Sequence, residues 1–189
     1  MGIISRIKQF CFVTLRIKKY KFLSDCKRVS GKPNLYFPLL LKGNGKVQFG
    51  KNFQNGVVES SCYYSHYNYI LSMDQESEVI IGDNVVFSNG VSIYAKSKVT
   101  IEDKVMIGIN CFIIDSDGHD LSAQERMTGI PKTAEITIKK NVAIYYNSTI
   151  LKGVTIGENS VIGSGSIVTK DIPANVFAAG NPAKVIRNL

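Results

Sequence analysis

The sequence contains few of the residues on which metal centres and disulfide scaffolds depend. Its four cysteines are scattered and show no C-x-x-C spacing, so the pattern favours neither a zinc knuckle nor a disulfide framework. Only two histidines, His66 and His119, are present, and a histidine-based zinc site needs several. We therefore expect a protein of a reducing compartment that binds no metal.

Long hydrophobic runs are also lacking. The longest apolar stretches, such as residues 10–15 and 35–41, are interrupted and fall far short of the roughly 20 residues that a membrane-spanning helix needs. The first residues show neither the apolar core nor the small-residue cleavage site of an export signal. With 189 residues, 44% of them hydrophobic, the chain can bury one sizeable core. We expect a cytoplasmic protein with one main domain.

Acidic residues are almost absent from the first 32 positions, which contain nine basic residues and one acidic residue, Asp25. The rest of the chain is balanced, with 14 residues of each sign. An amphipathic helix in residues 1–32 would suit an anionic membrane surface, but it could equally pack on its own protein or on a sister subunit. No nucleic-acid module accompanies the basic run, so we expect no nucleic-acid partner. The apolar residues of the segment include Ile3, Ile4, Ile7, Phe10, Leu15 and Ile17.

A strict repeat of six residues occupies the C-terminal half. The repeat places Ile138, Ile144, Ile150, Ile156, Ile162 and Val168 at its hydrophobic positions. The same spacing appears earlier at Ile81, Phe87 and Ile93 and, after a two-residue offset, at Ile101, Ile107 and Ile113. A period of six fits neither a helix nor a simple alternating strand. It predicts a parallel β-helix, in which each short strand places one aliphatic side chain in a central column. Glycines that follow aliphatic positions, Gly82, Gly108, Gly157 and Gly163, suit corners or places where a Cβ would intrude.

The segment NVAIYYNSTILKGVTIGENSVIGSGSIVTKDIPANVFAAGNPAKVIRNL, residues 141–189, resembles the C-terminal part of the hexapeptide-repeat acetyltransferases, which include maltose, galactoside and polysaccharide O-acetyltransferases. The resemblance runs from about Val79 to the end. It implies an all-β, left-handed parallel β-helix, a homotrimer with active sites between subunits, and acetyl-CoA as cosubstrate. We divide the chain into a basic, partly helical segment, residues 1–45, and a β-helix domain, residues 46–189.

The repeat is interrupted by a long polar loop, residues 114–137, which contains DSDGHDLSAQERMTGIPKTAE. Long loops in compact domains are usually functional. The resemblance places a catalytic histidine here, and the pattern D-x-x-x-H followed by E-R matches Asp115, His119, Glu125 and Arg126. His119 is the expected general base, because imidazole can accept a hydroxyl proton at neutral pH. Its orienting carboxylate could be Asp115, Asp117, Asp120 or Glu125. Attack on the thioester is direct, so Cys111 is expected to be a buried small hydrophobe.

The coenzyme residues are also implied by the resemblance. They are Tyr146, Ser164, Thr169 and Lys170 near the pantetheine arm and Lys184 and Arg187 near the phosphates; the alternative is that they are solvated side chains at coil ends. Two bulky residues, Tyr145 and Tyr146, stand where the family has small ones and could reshape or close the coenzyme slot.

The acceptor is less well defined by the residues. Asn89 and Asp117 are candidates for binding it, although Asn89 could instead fill a turn. Ala95 and Lys96 replace an acidic pair of the maltose and galactoside enzymes, which argues against a simple maltose-like acceptor. His66 is expected to be structural, or to form a sugar-stacking surface with neighbouring tyrosines, Tyr63, Tyr64 and Tyr67.

The favoured interpretation is an acetyl-CoA-dependent O-acetyltransferase that acts on a saccharide hydroxyl, such as that of a cell-surface or capsular polysaccharide precursor. Two alternatives stay open. The acceptor could be an amine on an amino sugar or a small molecule, since the same base serves either nucleophile. The chain could also be a non-catalytic β-helix scaffold if the tyrosines close the coenzyme slot.

Overall fold

The computed structural model describes residues 2–189, and Met1 of the N-terminal segment lies outside them. A helix opens the chain, in three consecutive parts: α1 (Ile3–Gln9), a π-helical turn (Phe10–Thr14) and α2 (Leu15–Leu23). None of the helical segments in the described part of the chain is long and apolar enough to cross a bilayer.

In residues 2–189, twenty short strands then form the three sides of a β-helix; all pair in parallel except the last, β20, which is antiparallel to β19. Sheet 1 contains β1 (Arg28–Ser30), β4 (Lys46–Phe49), β7 (Glu78–Ile81), β10 (Lys98–Ile101), β13 (Ile136–Ile138) and β16 (Thr155–Ile156). Sheet 2 contains β2 (Asn34–Leu35), β5 (Gln54–Asn55), β8 (Val86–Phe87), β11 (Met106–Ile107), β14 (Ala143–Ile144), β17 (Val161–Ile162), β19 (Val176–Gly180) and β20 (Ala183–Asn188). Sheet 3 contains β3 (Leu39–Lys42), β6 (Asn68–Ser72), β9 (Ser92–Ala95), β12 (Phe112–Ile114), β15 (Thr149–Ile150) and β18 (Ile167–Val168).

The six-residue repeat forms the buried columns that it predicts. On each sheet the aliphatic positions of successive coils are paired in register and almost completely buried. Sheet 3, for example, stacks Ile93, Ile113 and Ile150. Burying an aliphatic side chain of this size contributes about 1.5–3 kcal/mol, so the stacked columns are the main stabilising feature of the domain.

Asparagines, and not the glycines of the repeat, adopt the left-handed backbone conformation at one corner. Asn141, Asn159 and Asn175 have φ near +60°, and their side-chain amides form a ladder with N···O distances of 3.0 and 2.9 Å. The glycines serve close packing instead. A Cβ on Gly157 would lie 2.3 Å from the backbone nitrogen of Ala174, which no side chain could accommodate without a backbone shift.

The β-helix begins earlier than the predicted boundary at residue 46. Strands β1, β2 and β3 form a first coil that pairs in parallel with β4, β5 and β6. The six-residue period does not extend here, because Asn55 is buried at the column position that Phe87 fills in the next coil and twelve residues separate β5 from β6. A second polar residue, Asn68, is buried at the start of β6. Their amides are hydrogen-bonded to each other at 2.9 Å, which compensates for their burial.

The helix packs on this first coil. Val13 is fully buried against Phe37 and Tyr63, and Ile17 adds to the same cluster. The side chain of Arg16 donates hydrogen bonds to the backbone carbonyls of Tyr63 and His66. The expected helical character of the N-terminal segment is therefore confirmed for residues 3–23.

Candidate active site

The loop with His119 leaves the β-helix at the corner between sheet 3 and sheet 1. Asp115 is buried at this corner, and its carboxylate accepts hydrogen bonds from the backbone N–H groups of Lys96 at 2.7 Å and Ser97 at 2.8 Å. Burial raises the pKa of Asp115, while these hydrogen bonds act in the opposite direction. An antiparallel bridge between Ser116 and Thr133 closes the base of the loop. Asp115 therefore fixes the root of the loop.

His119 lies exposed within the loop, directly after Gly118, whose φ is +77°. No hydrogen bond to its imidazole is present among residues 2–189. Two candidate orienting carboxylates have other partners, since Asp115 holds the loop root and Asp120 accepts a hydrogen bond from the Ser122 N–H at 2.7 Å. Within residues 2–189 of one chain, no carboxylate is hydrogen-bonded to the His119 imidazole to orient it.

Asp117 occupies a different environment. One of its carboxylate oxygens lies 3.5 Å from the Lys152 ammonium, and the other is buried and has no hydrogen-bond partner among residues 2–189. A buried carboxylate oxygen without a donor is costly. A hydroxyl group bound beside Asp117 would donate the missing hydrogen bond to this oxygen. Lys152, which sequence reasoning did not single out, holds this carboxylate from the following coil.

A cleft rich in tyrosine lies on the outer surface of sheet 3. We call it the tyrosine cleft; its volume is about 520 Å³, and it is lined by Leu40, Lys42, His66, Tyr67, Tyr69, Gly90, Ser92 and Tyr94. The rings of Tyr69 and Tyr94 are 5.2 Å apart between centroids. Tyr94 is paired with Ile114, where β12 ends and the loop with His119 begins. The cleft and the root of the loop are therefore adjacent.

The predicted sugar-stacking group is divided between two places. His66 and Tyr67 line the tyrosine cleft. Tyr63 is instead buried beneath the N-terminal helix, and Tyr64 contacts Phe12 of that helix edge to face. Tyr69 and Tyr94, which complete the cleft, were missed; the available signal is that each lies next to an inward aliphatic residue of its strand and so faces outward.

Asn89 does not have the environment of an acceptor-binding residue. It is fully buried, and its amide nitrogen donates to the backbone carbonyls of Val57 at 3.2 Å and Ser61 at 3.0 Å. Its amide oxygen accepts the Val57 N–H at 3.0 Å. Because both amide hydrogens are used, Asn89 ties down the segment before β6 and has no free donor for a substrate hydroxyl.

A second cavity, of about 430 Å³, opens on the outer surface of sheet 2. We call it the sheet 2 groove; it is lined by Val57, Val86, Ser88, Met106, Ile107, Gly108, Ala143, Ile144, Tyr145, Tyr146 and Ser164. The Tyr146 side chain packs over Gly108, where a Cβ would lie 2.9 Å from a ring carbon. Tyr145 and Tyr146 are 47% and 55% exposed, so they form walls of the groove and leave it open.

The six predicted coenzyme residues fall into two sets. Tyr146 and Ser164 line the sheet 2 groove, and Lys184 and Arg187 lie on β20, at the end of the same sheet. The Arg187 guanidinium lies over the ring of Phe177 at 5.8 Å. The other set, Thr169 and Lys170, follows β18, the strand at the C-terminal edge of sheet 3.

No hydrogen bond or salt bridge within residues 2–189 joins the His119 loop to the sheet 2 groove. The loop leaves from the corner of sheets 3 and 1, and the groove lies on sheet 2. One chain alone therefore places the candidate base on a different side of the β-helix from Tyr146 and Ser164. Thr169 and Lys170 instead follow β18 at the corner of sheets 3 and 1, the corner from which the loop leaves.

Comparison with known proteins identifies the repeat. Residues 135–170 match the family model "Bacterial transferase hexapeptide (six repeats)", and residues 79–95 match "Hexapeptide repeat of succinyl-transferase". Galactoside O-acetyltransferase of Escherichia coli K12 is 40% identical over 144 residues, which cover 76% of this chain and 66% of the relative. The chain belongs to the hexapeptide-repeat acetyltransferase family. Its fold is accordingly the left-handed parallel β-helix that the resemblance implies.

Other members of the family agree with this assignment. A putative acetyltransferase of Saccharomyces cerevisiae, YJL218W, is 43% identical over 116 residues, which span 61% of this chain and 59% of the relative. The chain thus spans about three fifths to two thirds of the length of these two curated relatives. The structure of the polySia specific acetyltransferase NeuO is 32% identical, with a TM-score of 0.63, and covers 87% of this chain and 68% of that one. A galactoside acetyltransferase in complex with coenzyme A is 28% identical, with a TM-score of 0.56, and covers 100% and 91%.

Proposed function

We propose that this hexapeptide-repeat acetyltransferase transfers an acetyl group from acetyl-CoA to a hydroxyl group of a saccharide. The observation that carries the proposal is the tyrosine cleft beside the root of the His119 loop. Aromatic rings flanked by polar groups suit the apolar faces and hydroxyl edges of a sugar. The 40% identity to a galactoside O-acetyltransferase supports the same reaction class.

His119 is the proposed general base. Acetyl-CoA supplies the activated acetyl group as a thioester. The imidazole of His119 takes the proton from the acceptor hydroxyl as its oxygen forms a bond to the acetyl carbon, and it returns that proton to the coenzyme sulfur when the carbon–sulfur bond breaks. The acetyl group passes directly between the two substrates, because the buried Cys111 is unsuited to be a nucleophile: burial raises the pKa of its thiol to about 11.

The sheet 2 groove is the proposed site for the pantetheine arm. Its largely aliphatic walls suit the arm, with Tyr146 and Ser164 beside it, and the cations of Lys184 and Arg187 suit the phosphate groups. Thr169 and Lys170 follow β18 at the corner of sheets 3 and 1, where a coenzyme held on a neighbouring subunit would contact them. In a homotrimer, the groove residues of one subunit would lie at a boundary with Thr169, Lys170 and His119 of its neighbour, so that one site contains both sets and the base.

We further propose that the acceptor belongs to a cell-surface or capsular polysaccharide and meets the protein on the cytoplasmic side. No carboxylate is among the residues that line the tyrosine cleft, and its one cation, Lys42, is ion-paired with Asp25. This lining favours a neutral saccharide over a cationic amine, so O-acetylation is preferred to N-acetylation of a free amine.

Calorimetric titration with coenzyme A and acetyl-CoA is the first test, since it needs no knowledge of the acceptor. We expect saturable binding near one site per chain. Ser164→Trp, which fills the groove from an exposed position, should weaken that binding. A control at an exposed position on β1, away from the groove and the His119 loop, Val29→Trp, should not. Absence of binding at millimolar coenzyme would overturn the proposal and favour a non-catalytic scaffold.

Subunit complementation tests whether the site is shared between chains. His119→Ala and Ser164→Trp chains should each be inactive as homotrimers, one without the base and the other without the groove. Refolding them together in equal amounts should restore about a quarter of the wild-type activity, because three quarters of random trimers are mixed and one boundary in each is intact. No recovery, with mixed trimers verified by mass spectrometry, would mean that the site lies within one chain.

A further inference from the structure

The N-terminal helix has apolar side chains on two opposite sides. One side packs on the β-helix through Val13 and Ile17. Tyr20 continues this inner side and stacks on Tyr67 with ring centroids 4.4 Å apart. These positions are separated by four and three residues, the spacing of one helix face.

The other side faces away from the protein. We call it the apolar stripe; it consists of Ile3, Ile7, Phe10, Leu15 and Phe22, all exposed. Ile3 is 79% exposed and Phe22 is 88% exposed. Large apolar side chains in such a row on a surface mark an interaction site.

The π-helical turn at Phe10–Thr14 keeps this stripe continuous. The Leu15 N–H donates to the carbonyl of Phe10, five residues earlier, so Leu15 lies nearly above Phe10. In an uninterrupted α-helix, residues five apart are about 140° apart around the axis, and Leu15 would leave the stripe. The same turn leaves Val13 and Ile17 on the inner side. Turns of this kind are rare and are frequent at functional sites.

Basic residues flank the stripe without any acidic counterpart on the helix. Arg6, Lys8, Lys18, Lys19 and Lys21 are all exposed, and none of them forms a salt bridge with residues 2–189. Asp25, beyond the end of the helix, is the first acidic residue. A second copy of this helix would bring like charges together, which disfavours self-association through the stripe. The basic residues and the apolar stripe together are complementary to a surface with negative charge outside and apolar groups below that charge.

We propose that the apolar stripe binds an anionic phospholipid bilayer, with the helix lying in the plane of the interface. Ile3, Phe10 and Phe22 enter the boundary between headgroups and acyl chains, and the flanking lysines contact lipid phosphates. This contact does not depend on which acceptor is acetylated. It gives the proposed reaction a location, since a polysaccharide precursor carried on a lipid would be met at that surface.

The absence of tryptophan from the chain allows a direct test. Phe22→Trp places a single indole on the stripe of the full-length protein. Its emission should shift to shorter wavelength with vesicles of phosphatidylcholine and phosphatidylglycerol, and brominated acyl chains should quench it. Leu189→Trp, also exposed but at the chain end, should give neither effect. Absence of both effects for Phe22→Trp would overturn the proposal, as would a shifted emission without vesicles, which would indicate that protein covers the stripe.

Removal of charge gives a second, independent readout. Lys18→Gln combined with Lys21→Gln should weaken partition into these vesicles about 25-fold, since each lysine near an anionic surface contributes about fivefold. The control pair Lys51→Gln and Lys140→Gln removes the same charge from exposed positions on the β-helix and should change partition less than about twofold. Equal losses in both pairs would mean that net charge alone attracts the protein. Acetyl transfer to a soluble acceptor should be unchanged in both double variants, so failure of the membrane proposal is distinct from failure of the proposed reaction.

Discussion

Ile113→Ala should be among the most destabilising single substitutions in the chain. Ile113 is fully buried between Ile93 and Ile150, as the last inward side chain before the His119 loop. The substitution removes three carbon atoms, at about 0.8 kcal/mol each. An unrelaxed cavity of about 60–80 Å³ adds about 1.5–2 kcal/mol at 24 cal/mol per Å³. The expected loss in the free energy of unfolding is therefore about 4 kcal/mol.

The loss can be measured by urea unfolding followed by far-ultraviolet circular dichroism, at equal protein concentrations because association contributes to stability. Ile130→Ala is the matched control: the same atoms are removed from a side chain in the loop that is 83% exposed, so the change should stay within about 0.5 kcal/mol. A loss below about 1 kcal/mol for Ile113→Ala, or similar losses for both variants, would refute the stacked-column account of stability.

Three further predictions follow from single side chains. His119→Ala should lower acetyl transfer about 10²–10⁴-fold while coenzyme binding and the circular dichroism spectrum are unchanged; near-normal turnover would remove His119 from the reaction. Lys104→Asn should raise the free energy of unfolding in urea by up to about 1 kcal/mol, because Lys104 has a φ of +59° that asparagine tolerates better; a decrease would contradict this. A thiol reagent at pH 8 should modify the exposed Cys11 but not Cys111, whose thiol has a pKa raised to about 11 by burial, until the protein is unfolded; fast modification of Cys111 in the native protein would show that its site opens.

The C-terminal coils could be predicted from the sequence because each strand buries one aliphatic side chain at a fixed interval. The period of six therefore records the columns directly, and the two-residue offset between Ile93 and Ile101 is absorbed at a corner. In the first coils the inward positions include Asn55 and Asn68, which are hydrogen-bonded to each other. Polar residues satisfied in this way hide the period, so the start of the β-helix at β1 could not be read from it.

The candidate site was only partly predictable, for a related reason. His119 stands out because it interrupts the repeat. Tyr69 and Tyr94 come from different coils, 25 positions apart, and meet only because β6 and β9 pair in register. Asn89 was assigned to the acceptor from its residue type, but its amide is used by the backbone around Val57. Contacts between coils, and not the local sequence, decide which polar side chains are available to bind a substrate.

Inward and outward residues of each strand have different roles, so the site can change without loss of the fold. In each strand the inward residue is fixed by the column, as Ile93 is, whereas its outward neighbour, Tyr94, contributes to a surface. Tyr145 and Tyr146 likewise follow the buried Ile144 and form walls of the sheet 2 groove. Outward residues can therefore change the shape of either cavity at little cost to stability, because the stacked columns carry most of the free energy of folding. Substrate choice in this protein should consequently respond to substitutions at Tyr94 and Tyr146 that leave the unfolding midpoint unchanged.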